Sequence, residues 1–322
     1  MVRGGVRRVD VVGAVLLAVT LIGGCQNRDT DQRRGDGWTV GGGDSGAEVE
    51  PVPDTTSADT GGGDAAAGWR QVSTGSSHSC AVDSLGGVVC WGEDDEGESS
   101  PPDRAFTRVS VGTDVSCGLT VSNAIECWGE MNEAEPPDGR FKALSVSGSR
   151  ACGITLEGAL NCWGEEFRGD PPPTTGTFAE VSLGGLASMA IRRAGGLVQW
   201  GHRLSYVGQH AFSEIDTEAS HACGVDRASD RVVCWGDNES GQAEPPEGRF
   251  EQVGIGYYFS CGLTKAGAIE CWGDGSDSKT DSPSGSYRSI SVGAFHSCAV
   301  STGGEIDCWG RRKEATPWEP GG

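Results

Sequence analysis

The stretch HSCAVDSLGGVVCWG at residues 78–92 contains the pattern that decides the fold. Cys80 and Cys90 lie on either side of a glycine-containing turn, which predicts a hairpin of two short strands. If these strands pair antiparallel with Cys80 facing Cys90, then Val82 faces Val88, because both pairs are centred on the same turn. Side chains two residues apart share one face of a strand. The cysteines and valines therefore lie on the same side of the hairpin.

The dipeptide Trp-Gly that ends this stretch recurs at spacings of 35 or 37 residues. The seven tryptophans are Trp91, Trp128, Trp163, Trp200, Trp235, Trp272 and Trp309. Each repeat opens with an aromatic residue and an aliphatic one three places later, such as Trp69 and Val72, which predicts a first strand before the hairpin. Such a period is typical of propellers and solenoids. We predict an all-β, seven-bladed β-propeller over residues 68–322, because sheets arranged around an axis bury each other's faces. A linear β-solenoid is the alternative.

Twelve of the 13 cysteines fall in pairs within a repeat. The predicted disulfides are Cys80/Cys90, Cys117/Cys127, Cys152/Cys162, Cys223/Cys234, Cys261/Cys271 and Cys298/Cys308. Facing residues in an antiparallel ladder are close enough for a disulfide. The fourth repeat has Met189 and Gln199 at both positions, as expected if the thiols act in pairs. Zinc or redox chemistry is disfavoured, because each pair is widely spaced and sits in its own repeat.

The beginning of the chain is typical of an exported lipoprotein. Three arginines precede an apolar stretch at residues 11–22, which is too short to cross a bilayer and fits a signal-peptide core. The sequence LIGGC at residues 21–25 resembles the lipobox of bacterial lipoproteins, which implies cleavage before Cys25 and a lipid on Cys25. Gln26 follows where aspartate would indicate inner-membrane retention, so the resemblance favours the outer membrane or cell surface. A plain secretory signal with an incidental cysteine is the alternative.

The predicted domains follow from these features. Residues 1–24 form the signal peptide, residues 25–67 hold the lipidated cysteine and an acidic, glycine-rich linker, and residues 68–322 form the propeller. The linker has almost no large apolar residues, so it cannot bury enough surface to offset its chain entropy, and we expect it to be disordered.

The repeat unit resembles the regulator of chromosome condensation repeat. The matching residues are Gly75, His78-Ser79-Cys80 and Cys90-Trp91-Gly92, and later Pro136-Pro137-Asp138-Gly139-Arg140-Phe141. The resemblance covers all seven repeats. With its short repeats and predicted export, the chain is similar to the bacterial seven-bladed members of the family. The resemblance implies a propeller that binds other proteins through loops on one face. The nucleotide-exchange activity of the eukaryotic member is not implied, because an exported lipoprotein does not meet a nuclear GTPase.

Acidic residues dominate the loops that follow Trp-Gly. The chain has 46 acidic and 25 basic residues and a net charge of −21, which disfavours nucleic acid as a partner. Equivalent loops of a propeller emerge in equivalent places, so we predict an acidic arc along one rim, interrupted by His202-Arg203 and by Arg311-Arg312-Lys313. The candidate rim residues are Glu93, Asp94, Asp95, Glu96, Glu130, Glu133, Glu165, Glu166, Asp237, Glu239, Asp274 and Asp277, and the same loops add Glu98, Glu135, Asp170, Glu244 and Asp281. This arc predicts recruitment of a cationic partner. A solvated rim without a ligand, and weak calcium binding near Asp274, are the alternatives.

No motif for catalysis or for a cofactor is present. His78, His221 and His296 share a repeat position that holds Phe259 or Val115 elsewhere, which indicates packing rather than chemistry. The sequence has no nucleophile elbow, zinc-protease motif or phosphate-binding loop. We therefore predict a non-enzymatic, monomeric propeller that binds a protein or a glycan and meets the membrane only through its lipid. An exported lyase or hydrolase with acids or histidines at one channel mouth, and an architectural envelope protein, remain alternatives.

Overall fold

Each repeat folds as a three-stranded antiparallel sheet whose strands lie in chain order. The computed structural model describes residues 68–130, 135–206, 208–218 and 220–311. In these ranges there is no α-helix, and one 3₁₀ turn spans Ser276–Ser278. The predicted signal peptide, Cys25 and the linker lie outside the described residues.

We number the sheets as blades 1 to 7. Blade 1 is β1 (Trp69–Thr74), β2 (His78–Asp83) and β3 (Val88–Gly92); blade 2 is β4 (Phe106–Val111), β5 (Val115–Thr120) and β6 (Ile125–Gly129); blade 3 is β7 (Phe141–Ser147), β8 (Arg150–Thr155) and β9 (Leu160–Gly164); blade 4 is β10 (Phe178–Leu183), β11 (Ala187–Arg192) and β12 (Leu197–Gly201); blade 5 is β13 (Phe212–Glu218), β14 (His221–Asp226) and β15 (Val232–Gly236); blade 6 is β16 (Phe250–Ile255), β17 (Phe259–Thr264) and β18 (Ile269–Gly273); blade 7 is β19 (Tyr287–Val292), β20 (His296–Ser301) and β21 (Ile306–Gly310).

The strand register is the one that the sequence predicts. Cys80 pairs with Cys90, and Val82 pairs with Val88. Blade 5 has one extra residue, and its turn absorbs it, because Val225 still pairs with Val232. The prediction of seven equivalent hairpins is confirmed.

The apolar core lies between neighbouring blades. Phe106, which opens blade 2, packs with Trp128 of its own blade against Cys80 and Val82 of blade 1. This arrangement requires a glycine on the adjacent strand, since a Cβ at Gly118 would lie 2.4 Å from the Phe106 ring. Burying a large apolar side chain contributes about 1.5–3 kcal/mol, so these contacts between blades stabilise the ring.

The first strand of every blade lines a central cavity of about 240 Å³, which we call the channel. Blade 7 closes against blade 1 through turns: the Trp69 N–H donates to the Gly304 carbonyl at 3.0 Å, and the Ala294 N–H donates to the Gly75 carbonyl at 3.2 Å. Each described blade is one continuous segment of chain. Among the described residues, closure therefore rests on contacts between blades 7 and 1.

The strand directions give the propeller two distinct faces. The turn after each first strand and the end of each third strand meet on one face, as His78 pairs with Gly92. We call this the loop face. The turn between the second and third strands lies on the opposite face, beside the start of the next blade, where the Phe106 N–H donates to the Gly86 carbonyl at 2.8 Å. We call this the hairpin face.

Candidate binding face and central channel

The residue after each Trp-Gly is fixed on the loop face by its backbone N–H, which donates to the neighbouring turn of its own blade. In blade 1 the Glu93 N–H donates to the Ser77 carbonyl at 3.1 Å, and in blade 2 the Glu130 N–H donates to the Asp114 carbonyl at 2.8 Å. The seven residues form what we call the loop-face ring: Glu93, Glu130, Glu165, His202, Asp237, Asp274 and Arg311. Five of the seven carry carboxylates, so the repeat concentrates negative charge on one face.

Most of the candidate rim residues are exposed there. The exposed ones are Glu93, Asp94, Asp95, Glu96, Glu130, Glu165, Glu166, Glu239 and Asp277, and the half-buried ones are Asp237 and Asp274. Arg311 stacks 3.9 Å from the centre of the Phe295 ring and lies 3.8 Å from Asp277. Glu133, Arg312 and Lys313 lie outside the described residues.

Several of these carboxylates hold their own loops. Asp94 accepts hydrogen bonds from the Ser99 N–H and the Ser100 hydroxyl, both at 2.8 Å. Asp274 accepts from the Lys279 ammonium at 2.7 Å, and this bond, with those from Ser276, lowers the pKa of Asp274 to about 2. The carboxylate considered above as a calcium ligand is therefore occupied by Lys279.

Glu98, one of the acids that the sequence places in the rim loops, is buried. Its exposed fraction is 1%, because the residue seven places after the tryptophan turns inward in blades 1, 5 and 6. Gln242 and Lys279 occupy this place after blades 5 and 6, and their carbonyls accept the indole N–H of Trp272 at 2.9 Å and of Trp309 at 3.0 Å. The loops are thereby fixed to the next blade.

Aromatic and aliphatic side chains lie beside the loop-face ring. Tyr257 and Phe295 meet edge to face at 5.2 Å, and Tyr258 is 53% exposed with a φ of +64°. Leu186, in the equivalent turn of blade 4, is 43% exposed. Sequence reasoning missed these side chains, although they stand where blade 1 has Ser76 and Ser77. Aromatic side chains of this kind often dominate the energy of protein interfaces.

Blade 5 places three carboxylates along the channel, from Glu214, Asp216 and Glu218. Sequence reasoning missed them too, although they alternate along one strand where most repeats have serine at the Asp216 position. Asp216 accepts from the Ser182 hydroxyl at 2.7 Å and from the Ile255 N–H at 2.8 Å. It thus links three successive blades.

Burial raises the pKa of Glu214 and Asp216. The pKa of Asp216 rises to about 6, and that of Glu214 rises well above its usual range. Glu180, in blade 4, accepts from the Ile215 N–H at 2.9 Å, and burial raises its pKa to about 7. The rest of the channel is lined by serine, threonine, glycine and aliphatic residues. An exported enzyme would need carboxylates in this channel. Those that line it, Glu214, Asp216 and Glu218, all come from one strand, and the hydrogen bonds of Asp216 join blades.

The three buried histidines also join neighbouring blades. His78 lies 2.7 Å from the Ser116 hydroxyl, and His221 lies 2.8 Å from the Ser260 hydroxyl. His296 pairs in the same way with Ser79. All three histidines are fully buried, and burial lowers the pKa of each to about 4. They are therefore neutral side chains of the core.

All six predicted disulfides form, and each joins the second and third strands of its own blade. Met189 pairs with Gln199 at the equivalent position of blade 4. The six bonds are Cys80–Cys90, Cys117–Cys127, Cys152–Cys162, Cys223–Cys234, Cys261–Cys271 and Cys298–Cys308. Six disulfides indicate folding in an oxidising compartment.

The two cysteines of each bond differ in burial. The cysteine on the second strand is fully buried in all six blades. Its partner on the third strand is only half-buried, and these partners are Cys90, Cys127, Cys162, Cys234, Cys271 and Cys308. The two cysteines of a bond share one face of the hairpin, as the sequence predicts, but they are not equally buried. The third strand is the outer edge of its sheet, so its cysteine is closer to solvent. All twelve cysteines are engaged in bonds that hold the hairpins, so none is a candidate binding or redox residue.

The described part of the chain consists of strands, turns and one short 3₁₀ turn. No helix there has the length and apolar character to cross a bilayer. No group of three or more potential ligands within the same residues is arranged for a metal ion.

Comparison with known proteins gives the same architecture. The regulator of chromosome condensation (RCC1) repeat matches residues 69–98 and 287–311. Among solved structures, the CRINKLY WD40 ectodomain of the Arabidopsis thaliana receptor kinase ACR4 is similar with a TM-score of 0.65 and 23% identity, over 77% of this chain and 97% of that chain. The ectodomain of the Physcomitrella patens receptor kinase CR4 gives 0.64 and 22%, over 76% and 74%. Human WBSCR16 gives 0.59 and 14%, over 72% and 86%.

At these identities the structural likeness concerns the fold alone. The sequence matches no curated protein. The RCC1 matches fall on blades 1 and 7, which are the two blades that meet at the closure of the ring. The RCC1 repeat thus matches the first and the last blade of a seven-bladed β-propeller.

Proposed function

We propose that this protein is a cell-envelope lipoprotein, acylated on Cys25, whose propeller binds a cationic protein through its loop face. The observation that carries the proposal is the loop-face ring, in which five of seven equivalent positions present a carboxylate on the same face. Acidic surfaces steer basic partners and increase their association rates. The exposed Tyr258 and Leu186 beside the ring supply apolar contact area for the same partner.

The lipid anchor is supported by the lipobox-like sequence that ends at Cys25 and by the six disulfides, which fit an exported chain. Several acyl chains on one residue give stable membrane attachment, whereas a single chain is marginal. Mass spectrometry of the N-terminal peptide tests this part. An unmodified Cys25, or a retained signal peptide, would contradict it.

Binding is tested by crosslinking on intact cells, followed by capture of the partner with the purified protein. The charge variant is Glu93→Gln/Asp95→Asn/Glu96→Gln, which spares Asp94 because that side chain holds its loop. We expect partner recovery at low salt to fall roughly tenfold, because the lost charges lie on the binding face.

The matched control removes three exposed carboxylates from the hairpin face, as Asp103→Asn/Glu251→Gln/Glu305→Gln. The two variants change the net charge equally, so only position distinguishes them. Equal loss of the partner in both would contradict a site on the loop face. A captured partner that survives protease treatment would be a glycan and would overturn the assignment to a protein. Absence of any crosslinked partner would favour an architectural role.

A further inference from the structure

The hairpin face has a chemistry of its own. The first turn residue after the second strand is aliphatic in blades 2 and 3, basic in blades 4, 5 and 6, and a small hydroxyl residue in blades 1 and 7. In blade order these tip residues are Ser84, Val121, Leu156, Arg193, Arg227, Lys265 and Thr302. Leu85 follows Ser84. None of the seven is a carboxylate, although the chain has a net charge of −21.

The aliphatic tips project into solvent on three consecutive blades. Leu85 is 80% exposed, Val121 is 67% exposed and Leu156 is 38% exposed. Single exposed aliphatic residues are common on soluble proteins, but here three equivalent turns carry one. The remaining large exposed hydrophobic residues in the described ranges, Leu186 and Tyr258, lie on the loop face. The tips of the hairpin face are thus aliphatic along one half and basic along the other, among exposed carboxylates such as Asp103, Glu251 and Glu305.

The chain enters the propeller on this same face. Gly68 lies against Gly304, and its carbonyl accepts the Ser84 N–H at 3.2 Å, so the N-terminal segment joins the propeller next to Leu85. Residues 26–67 separate Gly68 from Cys25. A lipid on Cys25 therefore places the membrane at the end of a chain that leaves from the hairpin face.

We propose that the hairpin face docks on an anionic phospholipid surface, with Leu85, Val121 and Leu156 entering the interface and basic residues facing the headgroups. The proposal rests on the lipid anchoring proposed above. Exposed arginines near the aliphatic tips, Arg70 and Arg140, add positive charge to that half of the face. Peripheral membrane binding commonly combines inserted apolar side chains with basic ones that attract anionic lipids.

Docking in this orientation explains why the acidic loop-face ring and the aliphatic tips lie on opposite faces. Anionic headgroups repel the loop-face ring, which then points away from the membrane towards soluble partners. The tether keeps the propeller at a high effective concentration near the surface, so weak contacts are sufficient. Sequence reasoning indicates membrane contact through the lipid alone, and the hairpin face adds a second contact.

The test uses the purified full-length mature protein with two kinds of vesicle. One contains phosphatidylethanolamine and phosphatidylglycerol, and the other contains phosphatidylcholine alone. Hydrogen–deuterium exchange is followed at the hairpin tips of blades 1 to 3 and at the loop-face turns. We expect exchange at the tips to slow about tenfold on the anionic vesicles only, with no change on the loop face.

The docking variant is Leu85→Ser/Val121→Ser/Leu156→Ser, and its matched control is Leu186→Ser/Tyr258→Ser on the loop face. All substituted residues are exposed, and equal urea midpoints establish that both variants fold. The docking variant should lose the slowed exchange and the control should keep it. Tips that exchange equally on both vesicles, or protection of the loop face instead, would overturn the proposal.

The mass of the N-terminal peptide separates the two proposals. If Cys25 is lipidated and the tips stay unprotected, docking fails while anchoring stands. If Cys25 is unmodified, anchoring fails, and co-sedimentation of the same chain with the anionic vesicles still decides whether the hairpin face binds lipid.

Discussion

Nε2 of His296 lies 2.7 Å from the Ser79 hydroxyl, and this buried hydrogen bond joins the last blade to the first. The same pair occurs between blades 1 and 2 and between blades 5 and 6. Where the histidine position holds Val115 or Ala187, the next blade carries Ala151 or Ala222 in place of serine. At these two interfaces the histidine and its serine partner are replaced together, whereas Ser297 is kept opposite Phe259 and its buried hydroxyl has no hydrogen-bond partner among the described residues.

Ser79→Ala should therefore destabilise the propeller. It removes the partner of His296 Nε2, and the Nδ1 of that ring already has no hydrogen-bond partner among the described residues. We expect a loss of about 1–3 kcal/mol in the free energy of unfolding, measured by urea denaturation. The double variant Ser79→Ala/His296→Val copies the Val115 and Ala151 interface and should recover part of the loss. Parental stability in Ser79→Ala would show that the bond contributes nothing.

The buried histidines should make the protein less stable in acid. The pKa of His78, His221 and His296 is about 4 in the folded state, whereas an unfolded histidine has a pKa of about 6.5. Between these values the unfolded chain binds more protons, so the free energy of unfolding falls as the pH drops through this window.

The measurement compares the parent with His78→Val/Ser116→Ala at several pH values from neutral to about 4. The variant should show a shallower dependence on pH, because one proton-binding group of the unfolded state is gone. Identical slopes in the two proteins would contradict a role for His78.

Glu180 should have the opposite effect. Its pKa is about 7 in the folded state, against about 4.3 in unfolded chains, so the folded protein binds more protons between these values. The stabilisation is complete at low pH and is lost as the pH rises through 7. Glu180→Gln should leave stability unchanged near pH ~4 and raise it at alkaline pH by about 1–3 kcal/mol.

Gln71 and Gln252 are natural precedents for that substitution. They occupy the same position in blades 1 and 6 and accept the Val109 N–H at 2.9 Å and the Ile290 N–H at 3.0 Å. Gln71→Glu is the matched reverse variant and should lose stability as the pH rises. An effect of Glu180→Gln that is independent of pH would contradict the raised pKa.

Blade 4 should accept a seventh disulfide. Met189 and Gln199 face each other in the register of the six cystine pairs, and the buried Oε1 of Gln199 has no hydrogen-bond partner among the described residues. Met189→Cys/Gln199→Cys should close a loop like those of the other blades and add about 2.8 kcal/mol, measured by denaturation without reductant. Each single variant is the control. Free thiols at both positions after folding would contradict the expected geometry.

The hairpins could be predicted because their pattern is local. Cys80 and Cys90 lie ten residues apart around one turn, and the period-two alternation of a strand decides which side chains share a face. The same argument gives the register of blade 5, since Val225 and Val232 can pair only if the extra residue stays in the turn.

The candidate site was predictable in part. The carboxylates after Trp-Gly could be placed on one rim from the repeat alone, but the burial of Glu98 could not. Its inward turn depends on the next blade, where Gly129 leaves room for its Cβ. The aromatic patch of Tyr257, Tyr258 and Phe295 was missed because its residues come from different turns.

The amino-acid order by itself determined the repeat, the strands, the six disulfides and the concentration of acids in one set of loops, because each depends on residues within one blade. Only the tertiary structure decided the contacts between blades, such as His296 with Ser79 and Asp216 with Ser182. It also decided which face the chain enters and which face carries each charge. These features depend on distances between segments far apart in the chain, and closure of the ring sets those distances.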